Sequence, residues 1–220
     1  MRIFLTGATG FIGSALVPEL IGAGHQVIGM ARSEAGAQAL AAAGAQVHRG
    51  TLEDPESLRR GAAQADGVVH AAFDHDFSKF AENCEKDRRA IAALGSVLAG
   101  SGRPLVITSG TGMGGGRQGV PAAENVFDAA HPNPRIASEL AGNALLEAGV
   151  NVSVVRLPQV HNPFRQGLIA ALIEIARKKG VVAYVGEGNN LWPAGHLSDV
   201  VRLYRLAVEA GERGARFHAV

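Results

Sequence analysis

The chain has 220 residues, enough for one large domain with a substantial core. Apolar residues make up 47% and charged residues 19%, and a formal net charge of +1 without a long run of one sign gives no support to a nucleic-acid or membrane-surface partner. Cys84 is the single cysteine, which excludes an internal disulfide and a cysteine-based metal site and fits a reducing cytoplasm; no apolar run approaches the roughly 18 residues that span a bilayer.

A strand begins at once, at Arg2–Leu5, with no signal-peptide pattern ahead of it. Further strands are predicted at Gln26–Met30, Ala45–His48, Gly67–His70, Pro104–Thr108, Val152–Arg156 and Arg216–Val220. Helices are predicted between them at Phe11–Gly22, Ala35–Ala43, Pro55–Ala62, Asn83–Ser101, Asn133–Ala148 and Leu197–Ala210. Near-continuous apolar strands alternating with helices imply an α/β fold, a doubly wound parallel sheet of the Rossmann type. Gly110–Pro121 holds six glycines and reads as a mobile loop. Residues 159–196 read as a small insertion that either covers the ligand crevice or decorates the surface. It holds a helix at Gln166–Lys179, a short strand at Val181–Val185 and a turn at Gly186–Asn190. The expected division is a dinucleotide-binding core over 1–158, the covering region over 159–196, and a last helix and strand over 197–220.

The segment Thr6-Gly7-Ala8-Thr9-Gly10-Phe11-Ile12-Gly13 follows the first strand and opens a helix. Gly7 permits the tight turn, Gly10 lets backbone approach a pyrophosphate, and Gly13 brings the helix close to the sheet. The helix N-terminus then aims free N–H groups and a positive dipole end at the phosphates. At the end of the second strand no acid is present to hold the ribose hydroxyls of NAD. Arg32 stands there, a cation suited to the 2′-phosphate of NADP, and Ser33 adds a hydroxyl. NADP is therefore the expected ligand, with NAD left open.

These residues resemble the short-chain dehydrogenase/reductase superfamily, in its extended and atypical branch of NAD(P)-dependent epimerase/dehydratase-like and 3β-hydroxysteroid-dehydrogenase-like proteins. The glycine loop is similar to that branch's TGxxGxxG. The resemblance implies that Gly7, Thr9, Gly10, Phe11, Ile12 and Gly13 line the cofactor. It implies the same for Thr51 and Leu52, where threonine replaces the usual aspartate beside adenine, and for Ala71, Ala72 and Phe73 past the ribose. Val106-Ile107-Thr108-Ser109-Gly110-Thr111 resembles the strand carrying the catalytic Ser/Thr. That puts Thr108 at the cofactor and Thr111 or Ser109 at the substrate oxygen. Arg156-Leu157-Pro158-Gln159-Val160 resembles the segment against the nicotinamide, through Pro158 and Val160. His196-Leu197-Ser198-Asp199-Val200 resembles a later family element. The resemblance also implies more substrate-domain residues after Arg216–Val220, so that either the member is minimal or the chain lacks a disordered or removed tail, and with it part of the substrate pocket. It implies a homodimer through Asn83–Ser101 and Asn133–Ala148, whose alanine-rich faces equally suit packing on the sheet.

The family's chemistry rests on a Tyr-x-x-x-Lys pair, in which the lysine lowers the tyrosine pKa. Only Tyr184 and Tyr204 exist here, followed four positions later by Gly188 and Val208. By register Arg135 stands in the tyrosine place and Glu139 in the lysine place. They form either an ordinary (i, i+4) ion pair or a remodelled site in which Arg135 orients an anionic or carbonyl substrate. Arginine stays charged and is no proton donor. Among His70, His75, His131, His161 and His196, all expected near the strand C-terminal edge, His131 and His161 are candidates to supply the proton. Asp74-His75-Asp76 reads as a polar loop and no metal is expected. Two readings remain open. One is an NADP-dependent oxidoreductase acting on a small carbonyl or alcohol; the other is a non-catalytic NAD(P)-binding redox sensor or regulatory protein.

Overall fold

In the computed structural model, residues 1–115 and 119–220 are described. Seven parallel strands form one sheet: β1 (Arg2–Thr6), β2 (Gln26–Ala31), β3 (Gln46–Arg49), β4 (Gly67–His70), β5 (Pro104–Gly110), β6 (Asn151–Leu157) and β9 (Arg216–His218). Their order is β3-β2-β1-β4-β5-β6-β9. The chain reverses its direction of winding between β1 and β4, so a crevice opens at the C-terminal ends of these two strands.

Side chains alternate across the strands. Ile3 and Leu5 of β1 face the core beneath α1 (Gly13–Gly22), α2 (Glu34–Ala42) and α7 (Leu197–Ala210). Phe4 faces the opposite core, beneath α3 (Pro55–Ala63), α4 (Phe80–Ser96) and α5 (Ile136–Glu147). Helices thus cover both faces, as a parallel sheet requires. The small residues of α4 and α5 are used within the chain: Ala90, Ala93 and Ala141 are buried in the second core.

Caps explain several boundaries. Ser33 starts α2 by accepting from Gly36 N, and Asp54 starts α3 by accepting from Ser57 N with Pro55 next in line. The first helix begins at Gly13, two residues after the expected Phe11, because Gly10 N turns back to Gly7 O at 2.9 Å and delays the α-helical ladder.

The region after β6 departs most from expectation. β7 (Gln159–His161) and β8 (Ala194–His196) pair as a separate two-stranded parallel ribbon that periodicity did not reveal. Between them lies α6 (Ile169–Lys179), in which no residue is buried. Val181–Val185 forms no strand. Val182 and Val185 are 75% and 83% exposed, and a β-branched run without a partner edge has no ladder to join. Of the expected mobile loop Gly110–Pro121, residues 116–118 lie outside the description, while Thr111–Gly114 makes a 3-10 turn with Thr111, Met113 and Gly114 buried. Among the described residues no helix is long and apolar enough to cross a membrane.

Candidate functional site

The glycine loop is shaped by close backbone contact. Gly7 has φ +70°, and a Cβ there would lie 2.7 Å from Ala71 O and from Ala72 N. A Cβ on Gly13 would lie 2.0 Å from Gly7 O, so α1 approaches the loop more closely than any other residue allows. At Gly10 a Cβ would meet only Gly7 O, at 3.2 Å, and the outer side is open. Among the described residues the N–H groups of Phe11, Ile12 and Gly13 find no backbone acceptor. Three orphan donors at a helix start, with α1 carrying no acid in its first turn, fit an anionic pyrophosphate.

The same edge gathers the adenosine-side candidates. A Cβ on Gly36 would come within 3.1 Å of Thr9 Cγ2 and 3.2 Å of Ser33 Oγ, which places Thr9 and Ser33 side by side. Ser33 Oγ caps α2. Arg32 is exposed, and its charge helps hold the Asp74 carboxyl below the usual range, after the larger effects of Lys86 and the Asp76 backbone. Thr51 Oγ1 accepts from Glu53 N at 3.2 Å, and Leu52 packs against the second core. Pro158 and Val160 are buried, Val160 in the first core.

Behind this edge runs a buried polar network absent from the sequence reading. Thr6 Oγ1 shares a 2.7 Å hydrogen bond with His70 Nδ1 and accepts from Ala72 N at 3.4 Å. His70 Nε2 donates to Asp87 Oδ1 at 2.9 Å. Asp87 Oδ2 accepts from Ser138 Oγ at 2.5 Å and from Arg135 Nη1 at 2.7 Å. Burial alone would raise the Asp87 pKa; the Arg135 guanidinium and His70 outweigh it and hold the carboxyl well below the usual range. Thr108 Oγ1 donates to His70 O at 2.7 Å and shares a 2.6 Å bond with Tyr204 Oη. Burial pushes the Tyr204 phenol up. The Thr108 hydroxyl is thus spent inside the protein.

Arg135 and Glu139 do not pair with each other, and the expected (i, i+4) pair is corrected. Arg135 precedes the first turn of α5, where its side chain swings to Asp87, donates from Nη2 to Thr108 O at 2.9 Å, and lies 4.2 Å over the Phe73 ring. Glu139 turns the other way. Its carboxylate accepts from Arg156 Nε and Nη2, both at 2.8 Å, and from Arg216 Nε at 3.2 Å. The Arg156 and Glu139 side chains are both 0% exposed. Burial would raise the Glu139 pKa, but the hydrogen bonds from Arg156 lower it. Arg156 also donates to Ala123 O and Val126 O, tying down the segment that leads to α5. Glu139 is therefore one half of a buried structural ion pair, because the partner that decides its direction comes from β6.

Two hydroxyls at the end of β5 remain uncommitted. Ser109 is 4% exposed; its Oγ faces the Glu139 carboxylate without completing a well-formed hydrogen bond. Thr111 opens the 3-10 turn, and no described residue bonds its hydroxyl. Among the histidines, His131 Nδ1 accepts from Asn133 N in the turn before α5. His161 packs its ring against His196 with centroids 5.7 Å apart. His75 stacks edge-on against Phe73; burial and then Arg135 lower its pKa. Asp74 and Asp76 hold Lys86 and a short turn at Ser78, and no group of three metal-ligating side chains occurs among the described residues.

The family model for the NAD dependent epimerase/dehydratase family matches residues 3–220. An uncharacterized protein of Schizosaccharomyces pombe is 45% identical over 223 residues, covering 100% of this chain and 75% of the relative. A 2-alkyl-3-oxoalkanoate reductase of Stenotrophomonas maltophilia is 30% identical, covering 98% of this chain and 67% of the relative. Among solved structures, the UDP-glucose 4-epimerase of Thermus thermophilus in complex with NAD superposes with a TM-score of 0.76 at 22% identity. It covers 100% of this chain and 77% of that one, which establishes the shared fold.

Proposed function

The chain belongs to the NAD dependent epimerase/dehydratase family, and from that premise we propose that it is an NADP-dependent oxidoreductase acting on a small neutral carbonyl or the corresponding alcohol. The observation that carries this reading is the division of hydroxyls at the crevice edge. Those of Thr6, Thr108 and Ser138 are spent on buried partners, whereas no described residue completes a hydrogen bond to Ser109 Oγ, buried beside the Glu139 carboxylate, or to Thr111 Oγ1, and either would hold a substrate oxygen. Bound NADPH supplies the hydride. The orphan N–H groups of Phe11, Ile12 and Gly13 would hold its pyrophosphate, and Arg32, with no acid on its strand end, its 2′-phosphate. A neutral substrate follows from Asp87, which already compensates the Arg135 charge. The proton comes from water or from His161, which follows Pro158. Reductases at 30% identity support a carbonyl substrate. Residues 159–196 would form the cover of the crevice. The test is NADPH oxidation with a panel of ketones and aldehydes. Turnover that disappears in Thr111→Ala or Ser109→Ala supports the proposal, and tight NADPH binding without turnover of any substrate sinks it.

A second reading, a non-catalytic redox sensor, is favoured by one observation. The residues in the tyrosine and lysine places are both locked into internal ion pairs, with Asp87 and Arg156. A partner captured differently with NADP⁺ and NADPH would support it, and capture indifferent to redox state would count against it.

A further inference from the structure

The glycine loop has no cation of its own. Between Arg2 and Arg32 the chain carries neither lysine nor arginine, and a helix N-terminus supplies only about half a charge against the two of a pyrophosphate. A guanidinium reaches the loop from elsewhere. Arg165, in the segment between β7 and α6, holds its guanidinium carbon 5.0 Å from the centroid of the Phe11 ring. Phe11 is the half-buried residue at which α1 is about to begin. The backbone of Arg165 is fixed on both sides. Asn162 Oδ1 accepts from Phe164 N at 2.9 Å and from Arg165 N at 2.7 Å, and Asn162 N donates to Arg165 O at 2.9 Å. The other arginines near the crevice, Arg135 and Arg156, are committed to carboxylates, while no described carboxylate pairs with Arg165. Its charge also contributes to depressing His75, after burial and Arg135, so the guanidinium is felt on the 71–76 side of the crevice as well.

Stacking on an aromatic ring parks a guanidinium without using its five N–H donors. A planar fork of donors suits two phosphate oxygens at once. We infer that Arg165 is a phosphate clamp for the dinucleotide, supplying from the 162–167 turn the cation that the glycine loop lacks. The inference rests on the reading that this crevice binds NADP, and it divides the phosphates between two arginines: Arg165 for the pyrophosphate and Arg32 for the 2′-phosphate.

The test uses the full chain as wild type, Arg165→Ala and Arg165→Lys, all exposed-surface changes whose folding is checked by circular dichroism. NADPH is titrated by its fluorescence, and 2′,5′-ADP and 2′-AMP by calorimetry. Arg165→Ala should weaken NADPH and 2′,5′-ADP by roughly 10- to 100-fold, as for a lost charge-assisted contact, and leave 2′-AMP unchanged. Arg165→Lys should fall between, keeping the charge and losing the fork. Wild-type affinity for NADPH in Arg165→Ala overturns the clamp. So does an equal loss of 2′-AMP, which would move Arg165 to the 2′-phosphate. A wild type that does not bind NADPH at all overturns the cofactor reading underneath, a distinct result.

Discussion

The glycine loop and the first turn of α5 flank the same crevice, and they treat their polar groups in opposite ways. The loop leaves three N–H groups open at Phe11, Ile12 and Gly13. At α5, Arg135 and Glu139 each close onto a buried partner, Asp87 and Arg156. Open donors at a crevice edge are ready for a ligand. Closed ion pairs hold architecture, because an arginine that already neutralises a buried carboxylate has little charge left to offer. The difference separates the glycine loop, which keeps open N–H donors at a helix start, from the start of α5, where the charged groups serve internal ion pairs.

The contrast can be broken most forcefully at Glu139. Glu139→Ala leaves the Arg156 guanidinium buried without its partner, and an expected loss of about 3–5 kcal/mol would appear in a denaturant titration. A loss near zero would mean that water reaches Arg156. Gly13→Ala comes next: its Cβ has no room beside Gly7 O, so NADPH binding should disappear together with roughly 1–3 kcal/mol of stability. Asp87→Asn, read in the same assay, should cost about 1–3 kcal/mol through weakened bonds to Arg135, His70 and Ser138.

Acid sharpens the same point. The Asp87 and Glu139 carboxyls are held below their ordinary range in the folded protein. Their stabilising effect is therefore complete above the ordinary carboxylate pKa of about 4 and is lost as pH falls below it. A double Asp87→Asn, Glu139→Gln variant should show a flatter stability profile between about pH 5 and pH 3. The smallest effect is expected at Arg32. Arg32→Ala should reduce the preference for NADPH over NADH by about tenfold without changing the melting temperature; an unchanged preference would remove NADP specificity from this residue.

Legibility followed the range of the interactions. The seven strands of the main sheet and the glycine loop could be read directly, because alternation, turn glycines and caps are written in neighbouring residues. Boundaries shifted where one local bond intervened, as Gly10 N to Gly7 O does ahead of α1. Val181–Val185 had the composition of a strand and no partner edge, so it stayed exposed. The ribbon of β7 and β8 joins segments over thirty residues apart, and its three-residue strands are too short to carry a period.

The sequence by itself determined the winding of the sheet, the nucleotide loop, and the absence of a Tyr-x-x-x-Lys pair. Tertiary structure alone decided the partners of Arg135 and Glu139. Arg135 and Glu139 lie one helical turn apart and read as partners, yet Asp87 from α4 and Arg156 from β6 draw them in different directions. The physical reason is desolvation. Asp87 and Arg156 are buried and cannot remain unpaired away from water, whereas an (i, i+4) pair on a helix surface gains only a few tenths of a kcal/mol. The stronger demand set the geometry, and it arose from contacts that sequence spacing does not encode.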